Sequence, residues 1–194
     1  ETNSTLSIAD ANASQHDGNY SVVVSNDFGS VESGVVIVDV NTSLLDGLVG
    51  WWKFDETNGT IAYDSSGNGN DGNLTNGPTW TSGKIGGALS FDGVDDYVDC
   101  GLIQPSETTL SISAWIYKSD SSNAGIVTSY SSENYGLDLF NNDIIFFIKT
   151  GGIWEGTTTN FISSYINQWT HLCGTWDGST IKLYINGSLA DSVS

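Results

Sequence analysis

Apolar and polar positions alternate along this chain in short runs, the signature of strands with one buried face. In Ile181-Lys182-Leu183-Tyr184-Ile185 the three aliphatic side chains share one face, between the turn signals Asp177-Gly178 and Asn186-Gly187. In TLSISAWIY, Leu110, Ile112, Ala114 and Ile116 fall on one face and Ser111, Ser113, Trp115 and Tyr117 on the other. That second face either meets another sheet or lies open to ligands. The segments ALSFDG, DDYVDC, AGIVTSY, YGLDLF, DIIFFIKT, the stretch around GGIWEG, and QWTHLCGTW supply further strands. They recur at intervals of about eight to twelve residues, as in a sandwich or jelly roll. LVGWWKF is predicted as an earlier strand, with Trp51 and Trp52 on opposite faces, one in the core and the other structural or a sugar-stacking platform.

The pattern changes near residue 42, where Asp39 to Ser43 forms a short polar connector. Upstream, Tyr20, Val22 and Val24 share one face, and the turn Asn26-Asp27-Phe28-Gly29 leads towards a second apolar strand from Val35 to Val40. Two domains are therefore predicted, over residues 1–41 and 44–194.

Composition agrees with an all-β reading: Gly, Ser, Thr, Asn and Asp abound, and the long Ala/Leu/Glu/Lys runs of helices do not occur. The chain contains no Met, so it is expected to be a piece of something longer. It carries 23 acidic residues against five Lys and no Arg, for a formal net charge of −18. Nucleic acids and anionic membranes demand a basic stripe, and none exists here. No apolar run approaches the roughly 20 residues that span a bilayer. The acidity serves solubility, or holds divalent cations. Cys100 and Cys173 either form a disulfide or are ordinary small core residues.

Four ordered motifs, WWKFDETNG, DSSGNGNDG, ALSFDGVDDYV and WTHLCGTWDGSTIKLYING, resemble the laminin G-like family of concanavalin A-like jelly rolls. The resemblance implies an antiparallel jelly-roll β-sandwich in an extracellular, secreted or cell-surface protein. Such modules continue past the Asn-Gly hairpin with further strands that pair back on the first. Residues 44–194 are thus expected to be incomplete at the C-terminus, and poorly soluble or molten when expressed alone, because of an unpaired edge. Residues 1–41 resemble the last three strands of an immunoglobulin-like β-sandwich, with Tyr20 at the tyrosine-corner position. Here His16 stands where that pattern has Asp, and Val22 where antibody-type domains have Cys. These departures point to the disulfide-free repeats of bacterial surface proteins.

Calcium is the cofactor these residues suggest. In Asp64-Ser65-Ser66-Gly67-Asn68-Gly69-Asn70-Asp71, oxygen-bearing side chains recur at every second position on Asp64, Ser66, Asn68 and Asn70, Asp71 follows, and a hard cation wants several oxygens. The same composition also makes a plain Gly/Asn turn. A second acidic group is Asp92, Asp95 and Asp96 in FDGVDDY. Two His and two distant Cys offer no zinc spacing.

No catalytic residues are predicted. A glycosidase on this scaffold places a Glu-x-Asp-x-Glu-like run on one strand, whereas Asp138 stands alone in GLDLF, with Glu133 and Glu155 isolated from it. His171, between Trp169 and Trp176, reads as a packed strand residue. The predicted function is a non-catalytic, calcium-assisted carbohydrate-binding or adhesion module, with polysaccharide, glycoconjugate or protein as partner. Trp80, Tyr130, Tyr135 and Trp154 are its ligand-binding candidates. The competing readings are a structural or protein-interaction spacer, and an appended domain of a polysaccharide-degrading enzyme.

Overall fold

A computed structural model describes residues 18–21, 23–26, 29–38, 47–104, 108–129, 135–150, 152–160 and 163–194. The chain divides into two compact units, residues 1–48 and 49–194. The first contains β1 (Gly18–Tyr20), β2 (Val23–Asn26), β3 (Gly29–Glu32) and β4 (Val36–Val38). β1 pairs antiparallel with β4, and β2 with β3.

The second unit is an antiparallel β-sandwich. One sheet runs β10 (Leu110–Tyr117), β15 (Trp169–Trp176), β16 (Ile181–Ile185), β17 (Ser188–Val193). The other runs β11 (Ala124–Ser129), β12 (Tyr135–Phe140), β13 (Asp143–Thr150), β14 (Ile153–Asn160). Ile112, Leu172, Ile181, Leu183 and Ile185 of the first sheet meet Leu137, Leu139, Ile144, Phe146 and Ile148 of the second in one buried cluster. The alternation read from the sequence in β16 is thus realised, with Ile181, Leu183 and Ile185 buried, and in β13 too every second side chain is buried. Thr157 on β14 donates to the Asp191 carboxylate on β17, a polar tie between the sheets.

Two-residue turns fix the registers. Asn186 and Gly187 both have positive φ (49° and 80°) and join Ile185 to its partner Ser188. Asn141 and Asn142 (52° and 71°) do the same between Phe140 and Asp143. Paired left-handed residues match the twist of an antiparallel hairpin, and Asn and Gly tolerate that backbone best.

Residues 49–100 add β5 (Ile61–Ala62), β6 (Gly72–Thr75), β7 (Thr79–Ser82), β8 (Gly87–Ser90) and β9 (Tyr97–Asp99). These form a three-stranded sheet β5-β6-β9 and a β7-β8 hairpin. LVGWWKF is not the regular strand predicted; only Trp52 makes an isolated bridge, to Asp64. Side chains occupy the groups that a ladder would use. The Trp51 amide donates to Asp64, and the Val49 carbonyl accepts from Asn68 and Asn70. Phe54, at φ 58°, then ends the extended run. Trp52 is half-buried, with its indole N–H on the Asn70 carbonyl, whereas Trp51 is exposed with Lys53 Nζ 4.3 Å from its ring centre. Cys100 and Cys173 are free thiols. Among the described residues no helix is long and apolar enough to cross a membrane.

Candidate functional site

With alternate residues of β12 and β13 turned into the core, the remaining ones form the outer face of the β11–β14 sheet. Across the strands, Gly125, Asp138, Ile145 and Thr158 make one row, and Gly136, Phe147 and Gly156 the next. Lys149 and Trp154 follow. A Cβ at Gly136 would lie 2.4 Å from the tip of the Phe147 ring, so the missing side chain is what lets that ring lie across β12. Trp154, 54% exposed, meets Phe147 edge-on at 5.4 Å, and Lys149 Nζ lies 5.3 Å from the Trp154 ring centre.

A pocket of about 300 Å³ opens on this face, lined by Asn123, Gly125, Asp138, Phe140, Ile145 and Phe147 among others. Asn123 is held in place by accepting the Asn141 amide with its Oδ1, at 2.8 Å. Asp138 is different: its Oδ1 is shut off from solvent and receives no hydrogen bond. Burial pushes this carboxyl up to about 6. An acceptor stripped of water and left without a donor is costly, and such groups gather at functional sites.

Of the four predicted ligand residues, the structure puts only Trp154 on this face. Tyr135 lies on the opposite, core-facing side of the sheet, half-buried, with its hydroxyl on the Ile103 carbonyl at 3.0 Å. The Trp80 indole N–H is engaged by the Gly59 carbonyl at 2.9 Å, in the β7-β8 hairpin. Tyr130 lies outside the described residues. Phe147, Phe140 and Asp138, which line the pocket, were not among the ligand candidates singled out from the sequence. For Phe147 the signal was the run Ile144 to Ile148, apolar on both faces, which a strand with one buried face does not need; Phe140 and Asp138, on β12, had none of that kind.

The predicted metal residues form two separate groups. Asp64 Oδ1 accepts from the Trp51 and Ser66 amides, and Oδ2 from Ser66 Oγ and the Asn70 amide, at 2.7–3.0 Å. Partial desolvation raises this carboxyl, but those donors outweigh it and hold the group at about 2. Asp71 Oδ1 accepts the Asp64 amide, while Asn68 and Asn70 turn their amide nitrogens, not their oxygens, towards Val49. This loop is a hydrogen-bonded lock on residues 49–52. Asp92, Asp95 and Asp96 each offer a carboxylate oxygen within 4.8 Å of the others. Asp92 Oδ1 already accepts the Val94 and Asp95 amides, and the Val94 bond leads the effects that lower this carboxyl.

On the other sheet, Ser111, Ser113, Trp115 and Tyr117 are exposed, and Lys84 Nζ, in the turn between β7 and β8, lies 5.5 Å from the Trp115 ring centre. Trp115 pairs with His171 (5.2 Å), and Tyr117 with Trp169 (5.7 Å). Ser113 Oγ lies 2.8 Å from His171 Nε2. Glu155, in register with Ile148, and Asp138 lie on opposite sides of the β11–β14 sheet, so they cannot share a substrate as an acid and nucleophile pair.

A family model described as the concanavalin A-like lectin/glucanases superfamily matches residues 91–194. No curated protein matches the chain. Among solved structures it is similar to the binding domain of Paraclostridial Mosquitocidal Protein 1, at 22% identity and a TM-score of 0.59 over 78% of this chain and 41% of that one. Domain 4 of AbnA, a GH43 extracellular arabinanase from Geobacillus stearothermophilus in complex with arabinotriose, gives 21% and 0.58, over 75% and 74%. The binding domain of botulinum neurotoxin DC, in complex with rat synaptotagmin II, gives 16% and 0.53, over 78% and 40%. The chain thus spans about two fifths of the length of the two toxin chains. At these identities the likeness establishes the β-sandwich fold.

Proposed function

The chain belongs to the concanavalin A-like lectin/glucanases superfamily, and on that premise we propose that it is a non-catalytic glycan-binding module of a larger extracellular protein. One observation carries the reading: the outer face of β11–β14 presents Phe147 and exposed Trp154 beside a pocket whose carboxylate, Asp138, has an oxygen with no donor. Aromatic rings stack on the C–H faces of sugars, and hydroxyl groups supply the donors that such a carboxylate lacks. A domain of similar fold in complex with arabinotriose supports the same reading. Residues 1–41, with their immunoglobulin-like pattern, then act as part of a spacer.

Calcium binds at Asp92, Asp95 and Asp96 in this proposal and stiffens the loop after β8, while the Asp64 loop serves mainly as a turn. A second reading, a protein-binding module, draws on the exposed Trp115 and Tyr117 of β10. A glycan array probed with the full chain, with and without calcium, tests the proposal. Binding to a defined set of glycans is expected, with no release of reducing ends. Silence in both conditions overturns it.

A further inference from the structure

The Asp138 pocket also bears on which sugars can enter, an inference that rests on the glycan reading and narrows it. The pocket walls are apolar at Phe140, Ile145 and Phe147, and among the described residues its one ionisable lining residue is Asp138. No Lys or Arg lines it; Lys149, the only basic residue of the four strands, is over Trp154. We propose that this pocket selects neutral, hydroxyl-rich sugar residues and rejects uronates, with the Asp138 carboxylate accepting ring hydroxyls as its polar anchor.

An ionised carboxylate only accepts hydrogen bonds, so a ligand must bring donors. Sugar hydroxyls do so, and the ring's C–H face can lie against Phe147. A uronate instead brings a second anion into a low-dielectric site with no cation to offset it. The charged groups sharing the face reinforce this selection. Asp143, on β13, adds a negative charge, Lys149 is the only positive one, and the outward residues of β11 and β14 (Gly125, Thr128, Gly156, Thr158) carry none. Asp138 is half-buried as a residue, with Oδ1 itself fully shut off from solvent. Rotation about its last side-chain torsion exchanges the two oxygens, so a donor in the pocket reaches the group. Hydroxyl donors favour the ionised form, so binding lowers the carboxyl from its free value of about 6.

The test uses the full chain at pH 7 and isothermal titration with arabinotriose, xylotriose, cellotriose and mannotriose against trigalacturonate. At least one neutral trisaccharide is expected to bind, at least about tenfold more tightly than trigalacturonate. Asp138→Asn should weaken the neutral ligand about tenfold, the loss of one hydrogen bond to a charged group, and narrow the discrimination. In wild type, the carboxyl ¹³C titration of Asp138 should shift to lower pH when ligand is saturating, a readout that does not depend on the variant folding. Neutral binding unchanged in Asp138→Asn, equal binding of trigalacturonate, or an unmoved Asp138 titration overturns the pocket's role and leaves the glycan module standing. No binding of any neutral trisaccharide to wild type overturns both.

Discussion

The ring of Phe146 lies against Gly174 across the two sheets: a Cβ at position 174 would sit 2.2 Å from the Phe146 Cγ. Both residues are buried, and the glycine in β15 is what allows β13 to bring a full aromatic side chain to the centre of the core. Gly174→Ala therefore forces one sheet to move. We expect a loss of about 1–3 kcal/mol in denaturant unfolding, typical of overpacking. Gly174→Ala combined with Phe146→Leu should be less destabilised than the sum of the two single changes, because the residues touch. Additive losses would show that the contact does not limit packing.

Asp64→Ala removes four hydrogen bonds that hold residues 51, 66 and 70 together. The expected cost is about 1–3 kcal/mol in chemical unfolding, the range for charge-assisted bonds. Its pH dependence has a definite sign. The folded carboxyl lies near 2, below its ordinary 3.8, so its contribution is complete above about pH 4 and is lost as pH falls through 2. Asp64→Ala should flatten the acid limb of the stability curve in that window.

Asp138 has the opposite sign. Its folded value of about 6 exceeds the ordinary 3.8, so between those values the folded state holds a proton that the unfolded chain has released. Its effect on stability is most favourable below about pH 4, worsens as pH rises through 6 and then levels. Asp138→Asn removes that fall, and thermal unfolding at pH 8 should occur at a higher temperature than in wild type. In its proposed role as ligand anchor, Asp138 would weaken the free fold in exchange for binding, the usual trade between stability and function.

For the metal proposal, calcium added to the chelator-treated chain should raise the unfolding temperature, and Asp95→Asn with Asp96→Asn should abolish the rise. An equal rise in wild type and the double variant would place any calcium elsewhere.

Legibility in the sequence differed by element. Alternation identified β10 and β16, and regular spacing between turn signals identified β13 and β15; all four have one face in a single core. Alternation failed at LVGWWKF, where Asp64, Asn68 and Asn70 bond the backbone in place of a neighbouring strand, an effect of residues distant in sequence. β17 was not identified, because Ser188–Val193 is exposed on most positions and has only a weak pattern. For the candidate site, Trp154 was legible as an exposed aromatic, but Tyr135 looked the same and proved to face the core. Strand pairing decides which side of a sheet a residue occupies, and the local sequence does not carry it. Asp138 was visible only as a lone carboxylate; its missing donor depends on what β11 and β13 place beside it.

Chemical-shift mapping of the ¹⁵N-labelled chain with a neutral oligosaccharide tests the central claim most directly. The glycan reading predicts saturable shifts at Gly125, Gly136, Phe147, Trp154 and Gly156, on one face of one sheet, that Trp154→Ala weakens by about three- to tenfold, the loss of one stacked ring. Shifts confined to Trp115, Tyr117 and His171 on the other sheet, or none at millimolar ligand, would contradict it.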